Sequence, residues 1–570
     1  MTASSRTAPP DHEPTSSFQM DRALQTLRSR AESWPNVPIG EKLEYLRSIL
    51  RRTLEVAPAM VADTVAAKGV TEQIGAEDWV SGPVCILRTV RFLTDTLETI
   101  RRTGRVATGP VSTRPDGQVT VRVTPADRYD RVLYAGWTAD VWLDPEIDRA
   151  DLDDHVGGIY TKPETVEPGV AAVLGAGNVA SIGALDVVHK LFAEGRVTLL
   201  KHSPVNDYIG PHLERAFADL IHDGYLRTAY GGSEVGAALV GHPEVDVVHI
   251  TGASTSHDAI VFGSGDEGAA RKARNEPLLE KPITSELGNV SPVIIVPGSW
   301  KPADLQYQAE HLATQMMQNN GFNCNAAKVL VLPRGWAQRD EFLDRLRRVL
   351  LSLPPRPAHY PGAEERFDRF ANSFPHVELL GARADGFIPP ALLVGLDAGR
   401  DHLAFEEESF CSITAITELD AGDPGDYLDR AVEFCNERLE GSLNATIVVD
   451  PGAATDLGPR LDAAAGALRY GAIGINVWGG AVFALGTTPW GAFPGHTLDD
   501  IQSGRGFVHN ARLLDRPQKT VLRAPFRIVP KPPWFVTHRN AHRVFPAVAA
   551  LEADPSPLKL PRILAAALRG

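Results

Sequence analysis

Three short segments of the chain carry residues whose types could do chemistry. The first, GAGNVA (175–180), follows a predicted strand and opens a predicted helix. This fits the G-x-G-x-x-G/A pattern, whose glycines let a pyrophosphate approach a helix N-terminus. The carboxylate that usually ends the second strand of such a fold is absent, and Lys201 stands there instead. A glycine-rich turn with only packing duties is therefore the alternative reading.

The other two segments carry a glutamate and a cysteine. Glu286 lies in TSELGN (284–289), before an apolar strand, and Cys324 ends NNGFNC (319–324), in a loop between a predicted helix and strand. A thiolate can attack a carbonyl carbon, and a carboxylate can act as a general base. Taken singly, such a Glu is more often a solvated loop residue. A free Cys is more often a small buried hydrophobe, so both readings stay open on the residues alone.

Composition narrows the function classes. The 570 residues include 57 Lys+Arg and 71 Asp+Glu, for a net charge of −14, which argues against a nucleic-acid or anionic-membrane binder. Four cysteines with no CxxC pair make neither a disulfide framework nor a structural zinc site, and Cys85, Cys411 and Cys435 are assigned to packing. No segment approaches the roughly 18 to 20 apolar residues that span a bilayer. We therefore expect a cytoplasmic protein with reduced thiols, no metal site, no nucleic-acid partner and no stable membrane insertion.

The elements that must position these residues follow an α/β pattern. Strands and helices alternate from about residue 171 to residue 250, which predicts right-handed βαβ units and an open parallel sheet. A second α/β region reaches to about residue 482. The domains are predicted as a disordered leader (1–20), a cofactor-binding domain (21–285), a catalytic domain (286–482), and a return segment with a Pro-rich extension (483–570). The stretch 117–142 alternates as a strand ribbon, exposed at an edge or buried between subunits.

Eight segments in order give the chain a family resemblance. They are GAGNVAS, LLKHSP, VDVVHITGAS, SELGNVSP, NNGFNC, FEEESF, INVWGG and PWGAFPG. In this order they resemble the aldehyde dehydrogenase superfamily, from the first helices to about Gly506. Asn178 and Lys201 are 23 residues apart, as in the family. The resemblance implies two open Rossmann-like α/β domains with an oligomerisation ribbon at 117–142, and it makes the dinucleotide pattern at Gly175 partly accidental.

The resemblance also implies a mechanism. Cys324 would attack an aldehyde, and the Asn178 amide with the Cys324 backbone N–H would hold the oxyanion, at on the order of 3 kcal/mol each. After hydride transfer to a nicotinamide cofactor, Glu286 would activate the water that hydrolyses the thioester. This overturns the packing and loop readings of Cys324 and Glu286.

Cofactor residues carry over in the same way. Lys201 would bind the adenosine ribose and Glu408 the nicotinamide ribose, with Phe410 packed nearby. The turns beside the cofactor would hold Gly232, Gly236, Gly252 and Ala253. NAD and NADP both remain open, because Pro204 replaces an acidic residue that would repel a 2′-phosphate.

Two further departures concern backbone and charge. Asn289 stands at a family glycine, where an asparagine tolerates a positive φ, and His257 stands at another, either as a loop residue or as a phosphate contact.

The leading hypothesis is thus NAD(P)-dependent oxidation of an aldehyde to a carboxylic acid by a homodimer or homotetramer. One alternative is a CoA-acylating dehydrogenase or acyl-CoA reductase, since GAGN resembles some acyl-CoA reductases. Retention of Glu286 weighs against it, because a thioester destined for CoA needs no hydrolytic base. The other alternative is a catalytically silent binding protein on the same fold.

Overall fold

A computed structural model describes residues 12–420 and 422–570. Strands and helices alternate along most of this length, as βαβ units require. The strands are β1 (Val111–Thr113), β2 (Val119–Thr124), β3 (Thr138–Leu143), β4 (Val170–Leu174), β5 (Val197–Lys201), β6 (Leu226–Ala229), β7 (Val247–Thr251), β8 (Ile283–Glu286), β9 (Ser291–Ile295), β10 (Ala327–Pro333), β11 (Val377–Leu379), β12 (Ala391–Leu396), β13 (Ile413–Leu419), β14 (Asn444–Val448), β15 (Ala472–Ile475), β16 (Trp490–Gly491), β17 (Gly504–Arg505), β18 (Phe507–Val508) and β19 (Pro517–Arg523).

The helices cover both faces of the sheets. They are α1 (Ser17–Ala31), α2 (Ile39–Lys68), α3 (Ala76–Trp79), α4 (Cys85–Thr103), α5 (Asp130–Leu133), α6 (Gly158–Thr161), α7 (Ile182–Phe192), α8 (Gly210–Ala216), α9 (Ala218–His222), α10 (Ser233–Gly241), α11 (Ser254–Val261), α12 (Gly265–Ala273), α13 (Pro302–Met317), α14 (Arg339–Ser352), α15 (Ala363–Ala371), α16 (Leu403–Glu406), α17 (Pro424–Arg438), α18 (Pro451–Leu457), α19 (Pro459–Ala467), α20 (Ala481–Ala484), α21 (Ala541–Ala553) and α22 (Leu560–Ala567).

The first sheet has the strand order β17-β8-β7-β4-β5-β6. Its five strands β8, β7, β4, β5 and β6 are parallel, and β17 runs antiparallel on β8. Every residue of β5 is buried, because helices cover both faces of a parallel sheet. The carboxyl ends of these strands therefore share one edge, where Lys201 and Glu286 are the last residues of β5 and β8.

The second sheet has the order β1-β2-β3-β19-β15-β14-β9-β10-β13-β12-β11. Its centre, from β19 to β12, is parallel, and the flanking pairs β3–β19 and β11–β12 are antiparallel. All seven residues of β10 are buried. The predicted α/β architecture with two open parallel sheets is confirmed.

Three predicted boundaries need correction. The ribbon of β2 and β3 is an antiparallel pair as expected, but β19 joins it to the second sheet rather than to the cofactor-binding domain. Glu286 still belongs to the first sheet, one residue beyond the predicted boundary. β19 lies within the predicted tail (483–570), yet it is a parallel strand inside the second sheet. Whether the ribbon joins subunits stays a prediction.

The predicted leader (1–20) is also too long. Its residues 1–11 lie outside the described residues, but α1 begins at Ser17, where Ser16 and Gln19 form a capping box. Thr15 exchanges backbone and side-chain hydrogen bonds with Tyr230, which anchors the segment at the end of β6.

The C-terminal extension packs onto the N-terminal helices. Val544 and Val548 of α21 share a core cluster with Leu87 of α4. Glu552 of α21 is buried and accepts hydrogen bonds from the Arg88 guanidinium and from Arg91. The extension is therefore part of the folded unit. Across the ranges that the structure describes, none of the helices has the length and apolarity needed to cross a membrane.

Candidate active site

The loop between α13 and β10 presents Cys324 at the junction of the two sheets. After α13, Asn319, Asn320 and Gly321 adopt φ values of 51°, 54° and 75°. This left-handed run reverses the chain, and asparagine and glycine tolerate such a conformation best. At Gly321 a Cβ would lie 2.5 Å from the carbonyl oxygen of Cys411, so only glycine fits that approach. The residue types of NNGFNC thus fix the turn that exposes the cysteine.

The Cys324 thiol meets the Glu286 carboxylate. Sγ donates to Oε1 at 3.0 Å. Cys324 is partly exposed, whereas Glu286 is 3% exposed and its Oε2 has no protein partner. The structure brings together the predicted nucleophile and the predicted base, which lie 38 residues apart in the sequence.

Burial sets the proton affinities of this pair. Loss of water raises the pKa of the Glu286 carboxyl to about 7, and the nearby negative charge of Asp186 raises it further, against the opposing hydrogen bond from Cys324. Burial also raises the pKa of the Cys324 thiol well above its ordinary value, with the Glu286 and Glu408 charges adding to the effect. The resting pair is thus a neutral thiol beside a carboxylate that titrates near neutral pH, which suits a general base.

Asn178 stands beside the same loop. It follows β4, and its Nδ2 donates to the Phe322 carbonyl oxygen at 3.0 Å. An amide NH2 group carries two hydrogens, so one N–H remains for a further acceptor. Asn178, Cys324 and Glu286 are therefore assembled at one point.

Open space lies beside two of the glycines that were predicted to line the cofactor site. A Cβ on Gly232, at the start of α10, would meet nothing within 4 Å, and one on Gly252 would meet no atom closer than 3.6 Å. Gly236 lies in α10, and Ala253 is the N-cap of α11. Two helix N-termini therefore face this space, where their free N–H groups suit phosphates.

Lys201 lies at the same carboxyl edge of the first sheet. It ends β5, is largely buried, and loss of water lowers the pKa of its amine. The glycine turn at residues 175–177 contributes no such space, since a Cβ on Gly177 would lie 2.6 Å from Ser203 Oγ. The packing alternative for this turn agrees with that close approach.

Glu408 and Phe410 precede β13 and lie beside the loop 318–326 that carries Cys324, which is called the catalytic loop below. A Cβ on Gly288 would collide with the Glu408 carboxylate, which lies against the SELGN turn, and Glu408 Oε1 has no protein partner. Burial raises the pKa of Glu408 to about 7. The Phe410 ring contacts Tyr360 at 4.9 Å and Phe322 at 6.2 Å between centroids.

Asn289 and His257, which both stand at family glycines, are buried in the structure. Asn289 does not use a positive φ, and its buried Nδ2 instead donates to Ser291 Oγ and to the Asn444 carbonyl oxygen, both at 2.9 Å. His257 lies inside α11 and is buried, with Nδ1 3.4 Å from Asp258. Among the residues outside the undescribed N-terminus and position 421, no cluster of three or more His, Cys, Asp and Glu could hold a metal ion.

Two residues that the sequence did not single out also hold this site. Lys328 on β10 is buried and donates from Nζ to the carbonyl oxygens of Gly321 and Cys411, at 3.0 and 2.9 Å. The lysine inside the apolar run of β10 was a usable signal, because a buried ammonium needs acceptors. Asn319 contacts Asn178 and Phe322, which no sequence pattern indicates.

Comparisons with known proteins agree on one family. The model of the aldehyde dehydrogenase family matches residues 153–361, which hold all three assembled residues. The chain is 25% identical to coniferyl aldehyde dehydrogenase of Pseudomonas over 263 residues, covering 45% of this chain and 50% of that protein. It is 31% identical to chloroplastic betaine aldehyde dehydrogenase of Amaranthus hypochondriacus over 180 residues, covering 31% of this chain and 32% of that protein. The chain spans about half or less of the length of these curated relatives.

Solved structures match over a greater length. The NADP-dependent glyceraldehyde-3-phosphate dehydrogenase of Bacillus halodurans, solved with NADP, has a TM-score of 0.61 at 16% identity, covering 89% of this chain and 91% of that one. Lactaldehyde dehydrogenase of Escherichia coli has a TM-score of 0.57 at 18% identity, covering 89% and 90%. At these identities the likeness establishes the fold. Together with the family match over residues 153–361, it makes this chain similar to the aldehyde dehydrogenases in fold and in part of its sequence.

Proposed function

We propose that the protein oxidises an aldehyde to a carboxylic acid, with NAD or NADP as the oxidant and Cys324 as the nucleophile. The observation that carries this proposal is the 3.0 Å contact between Cys324 Sγ and Glu286 Oε1, with the Asn178 amide beside the same loop. A silent binding protein would have no need to assemble these three groups.

The first half of the reaction forms a covalent bond to the thiol. Cys324 passes its proton to Glu286 as Sγ bonds to the aldehyde carbon, and the carbonyl π pair becomes an oxyanion. The free N–H of Asn178 and the Cys324 backbone N–H donate to that oxyanion. Each such preorganised donor contributes on the order of 3 kcal/mol at the transition state.

When bound, NAD(P)+ supplies the hydride acceptor that converts the adduct into a thioester. Lys201 would hold the adenosine ribose and Glu408 the nicotinamide ribose, with Phe410 packed beside it. The remainder of the cofactor would lie against the open faces of Gly232, Gly236, Gly252 and Ala253. Pro204 stands where an acidic residue would repel a 2′-phosphate, so NADP fits as well as NAD. A succinate-semialdehyde dehydrogenase of Mycolicibacterium paratuberculosis that is 26% identical over 267 residues is named as NADP-dependent.

Hydrolysis returns the enzyme to its starting state. Glu286 first releases its proton to solvent and then takes one from water as the water oxygen bonds to the thioester carbon. The C–S bond breaks, and the proton returns to Cys324. Glu286 acts in turn as proton acceptor and proton donor. Its pKa of about 7 suits both roles, because the group accepts and releases a proton near neutral pH.

One panel of assays tests the proposal. Aliphatic, aromatic and semialdehyde substrates are each offered with NAD or NADP, with and without CoA, to the wild type and to Cys324→Ala. We expect reduced cofactor and free acid from the wild type only, with no requirement for CoA. Turnover that depends on CoA would instead favour the acyl-CoA alternative, and activity that survives Cys324→Ala would disprove the nucleophile assignment.

A further inference from the structure

A buried charged cluster lies directly behind the catalytic loop and has no part in the chemistry above. It joins Lys68, at the end of α2, to Glu77 and Asp78 of α3 and to Asn319 of the loop. We propose that Lys68 is a positioning residue: it fixes the Asn319 amide, and through Asn319 it places the Asn178 amide and the carbonyl of Phe322. This inference rests on the proposed function only in giving Asn178 its oxyanion role.

Lys68 itself is held in one position. Its Nζ donates to Asp78 Oδ1 at 2.6 Å and to Asn319 Oδ1 at 2.7 Å. The three residues are 8%, 4% and 5% exposed. A buried ammonium is stable only with such partners, so the carboxylate and the amide oxygen hold it where it is.

The position of Lys68 decides which way the Asn319 amide faces. With Oδ1 on the ammonium, Nδ2 donates to the carbonyl oxygens of Asn178 and Phe322, both at 3.1 Å, and to Asn323 Oδ1 at 3.2 Å. The flipped amide would turn its NH2 group to the ammonium and its oxygen to two carbonyls, which are unfavourable contacts at both ends.

The Phe322 carbonyl links this amide to the oxyanion donor. It accepts from both Asn319 Nδ2, at 3.1 Å, and Asn178 Nδ2, at 3.0 Å. One N–H of Asn178 is thereby bonded to the Phe322 carbonyl oxygen, and the other is left for a further acceptor. A shift of the Asn319 amide displaces Asn178 at both its backbone and its side chain.

Glu77 holds the backbone of the same residue. Its Oε1 accepts from the Asn319 backbone N–H at 3.0 Å and from Arg356 Nη1 at 2.6 Å. This contact secures the left-handed conformation of Asn319, whose φ is 51°. Ala541 and Phe545 of α21 pack on Ala76 of α3, so the C-terminal extension covers the helix that carries both carboxylates.

The test uses ester hydrolysis, which needs no cofactor. With p-nitrophenyl acetate, a burst of p-nitrophenolate reports acylation of Cys324, and the steady rate reports deacylation. We expect Lys68→Met to slow the burst about tenfold, because the oxyanion donor is misplaced. Asp78→Asn removes only the counter-charge of Lys68, and it should slow the burst less than Lys68→Met does. This variant replaces Lys68→Met in the test if Lys68→Met does not fold.

Lys42 offers a matched control on the same helix. It is buried as well, donates to the Pro35 carbonyl oxygen, and lies roughly 39 Å from Lys68 along α2. Lys42→Met should lower the melting temperature as Lys68→Met does, but leave the burst rate within about twofold of wild type. Equal burst rates for Lys68→Met and Lys42→Met would overturn the proposal.

A double-mutant cycle separates positioning from a general structural effect. Asn178→Ala alone should slow the burst about a hundredfold or more. In that background Lys68→Met should cost no more than about threefold, since the group it positions is gone. A full tenfold further loss would show that Lys68 does not act through Asn178.

A second readout does not depend on the proposed function. Each variant is alkylated with iodoacetamide, and the rate that remains in Cys324→Ala is subtracted. The difference reports how the Cys324 sulfur is held against Glu286. Lys68→Met should change this rate severalfold and Lys42→Met should not, and unchanged rates would overturn the positioning role. If the wild type shows no Cys324-dependent burst with ester, yet alkylation responds to Lys68→Met, the proposed function fails while the positioning of the loop stands.

Discussion

The proton affinity of Glu286 gives the sharpest prediction about this site. Burial raises the pKa of its carboxyl to about 7. Only the ionised carboxylate can take a proton from water, so deacylation should rise with pH and level off above the pKa. From the titration of a single group with that pKa, the rate should increase about tenfold between pH 6 and pH 8. The assay is the steady-state hydrolysis of p-nitrophenyl acetate across this range.

Asp186→Asn removes one of the charges that raise the pKa of Glu286. Asp186 is fully buried, and its charge raises the pKa of Glu286, so the neutral amide should move the inflection to lower pH. Below pH 7 the variant should therefore deacylate faster than wild type. The amide keeps an oxygen that can accept the hydrogen bond from Thr251.

Asp450→Asn is the matched control for a buried carboxylate. Asp450 caps α18 beyond the carboxyl end of β14, whereas the catalytic loop precedes the parallel strand β10, so the two lie at opposite edges of the sheet. Asparagine caps a helix as well as aspartate does. This variant should leave the pH profile unchanged. A wild-type inflection near the ordinary value for a glutamate, or a profile that survives Glu286→Gln, would refute the reasoning.

Two more variants test the cofactor edge and the C-terminal extension. Gly232→Val should raise the KM for NAD or NADP about tenfold by filling the open space, while ester hydrolysis, which needs no cofactor, stays at the wild-type rate. An unchanged KM would place the dinucleotide elsewhere. Glu552→Gln should lower the free energy of unfolding by about 3 kcal/mol in urea titration, because Arg88 and Arg91 lose a buried counter-charge. Glu44→Gln, at a largely exposed ion pair, should cost less than about 1 kcal/mol, and equal losses would contradict this account.

The C-terminal extension has a different role in the folded structure from the one that its sequence indicates. As a sequence it is a Pro-rich tail with no counterpart in the family pattern. In the structure, one segment is a parallel strand of the second sheet and another seals the helices behind the catalytic loop. Such contacts join residues more than 400 positions apart, as Arg88 and Glu552 are, and local periodicity carries no information about them.

The sequence by itself determined the local features of this protein. The order of eight segments indicated the superfamily, alternating periodicity indicated the parallel sheets, and the residue types of NNGFNC dictated a turn that only asparagine and glycine adopt easily. The family resemblance selected Cys324, Glu286 and Asn178, because their residue types alone also fitted packing and loop roles. The turns and the periodicity depend on neighbours within a few residues, whereas the order of the eight segments is a property of the whole chain.

Only the tertiary structure decided what surrounds those residues. The pKa of Glu286 depends on burial and on Asp186, which lies a hundred positions away in sequence. The orientation of Asn319 depends on Lys68, which comes from a helix that shares no motif with the catalytic loop. Burial, charge and hydrogen-bond partners are properties of contact in space, so they exist only after the chain has folded.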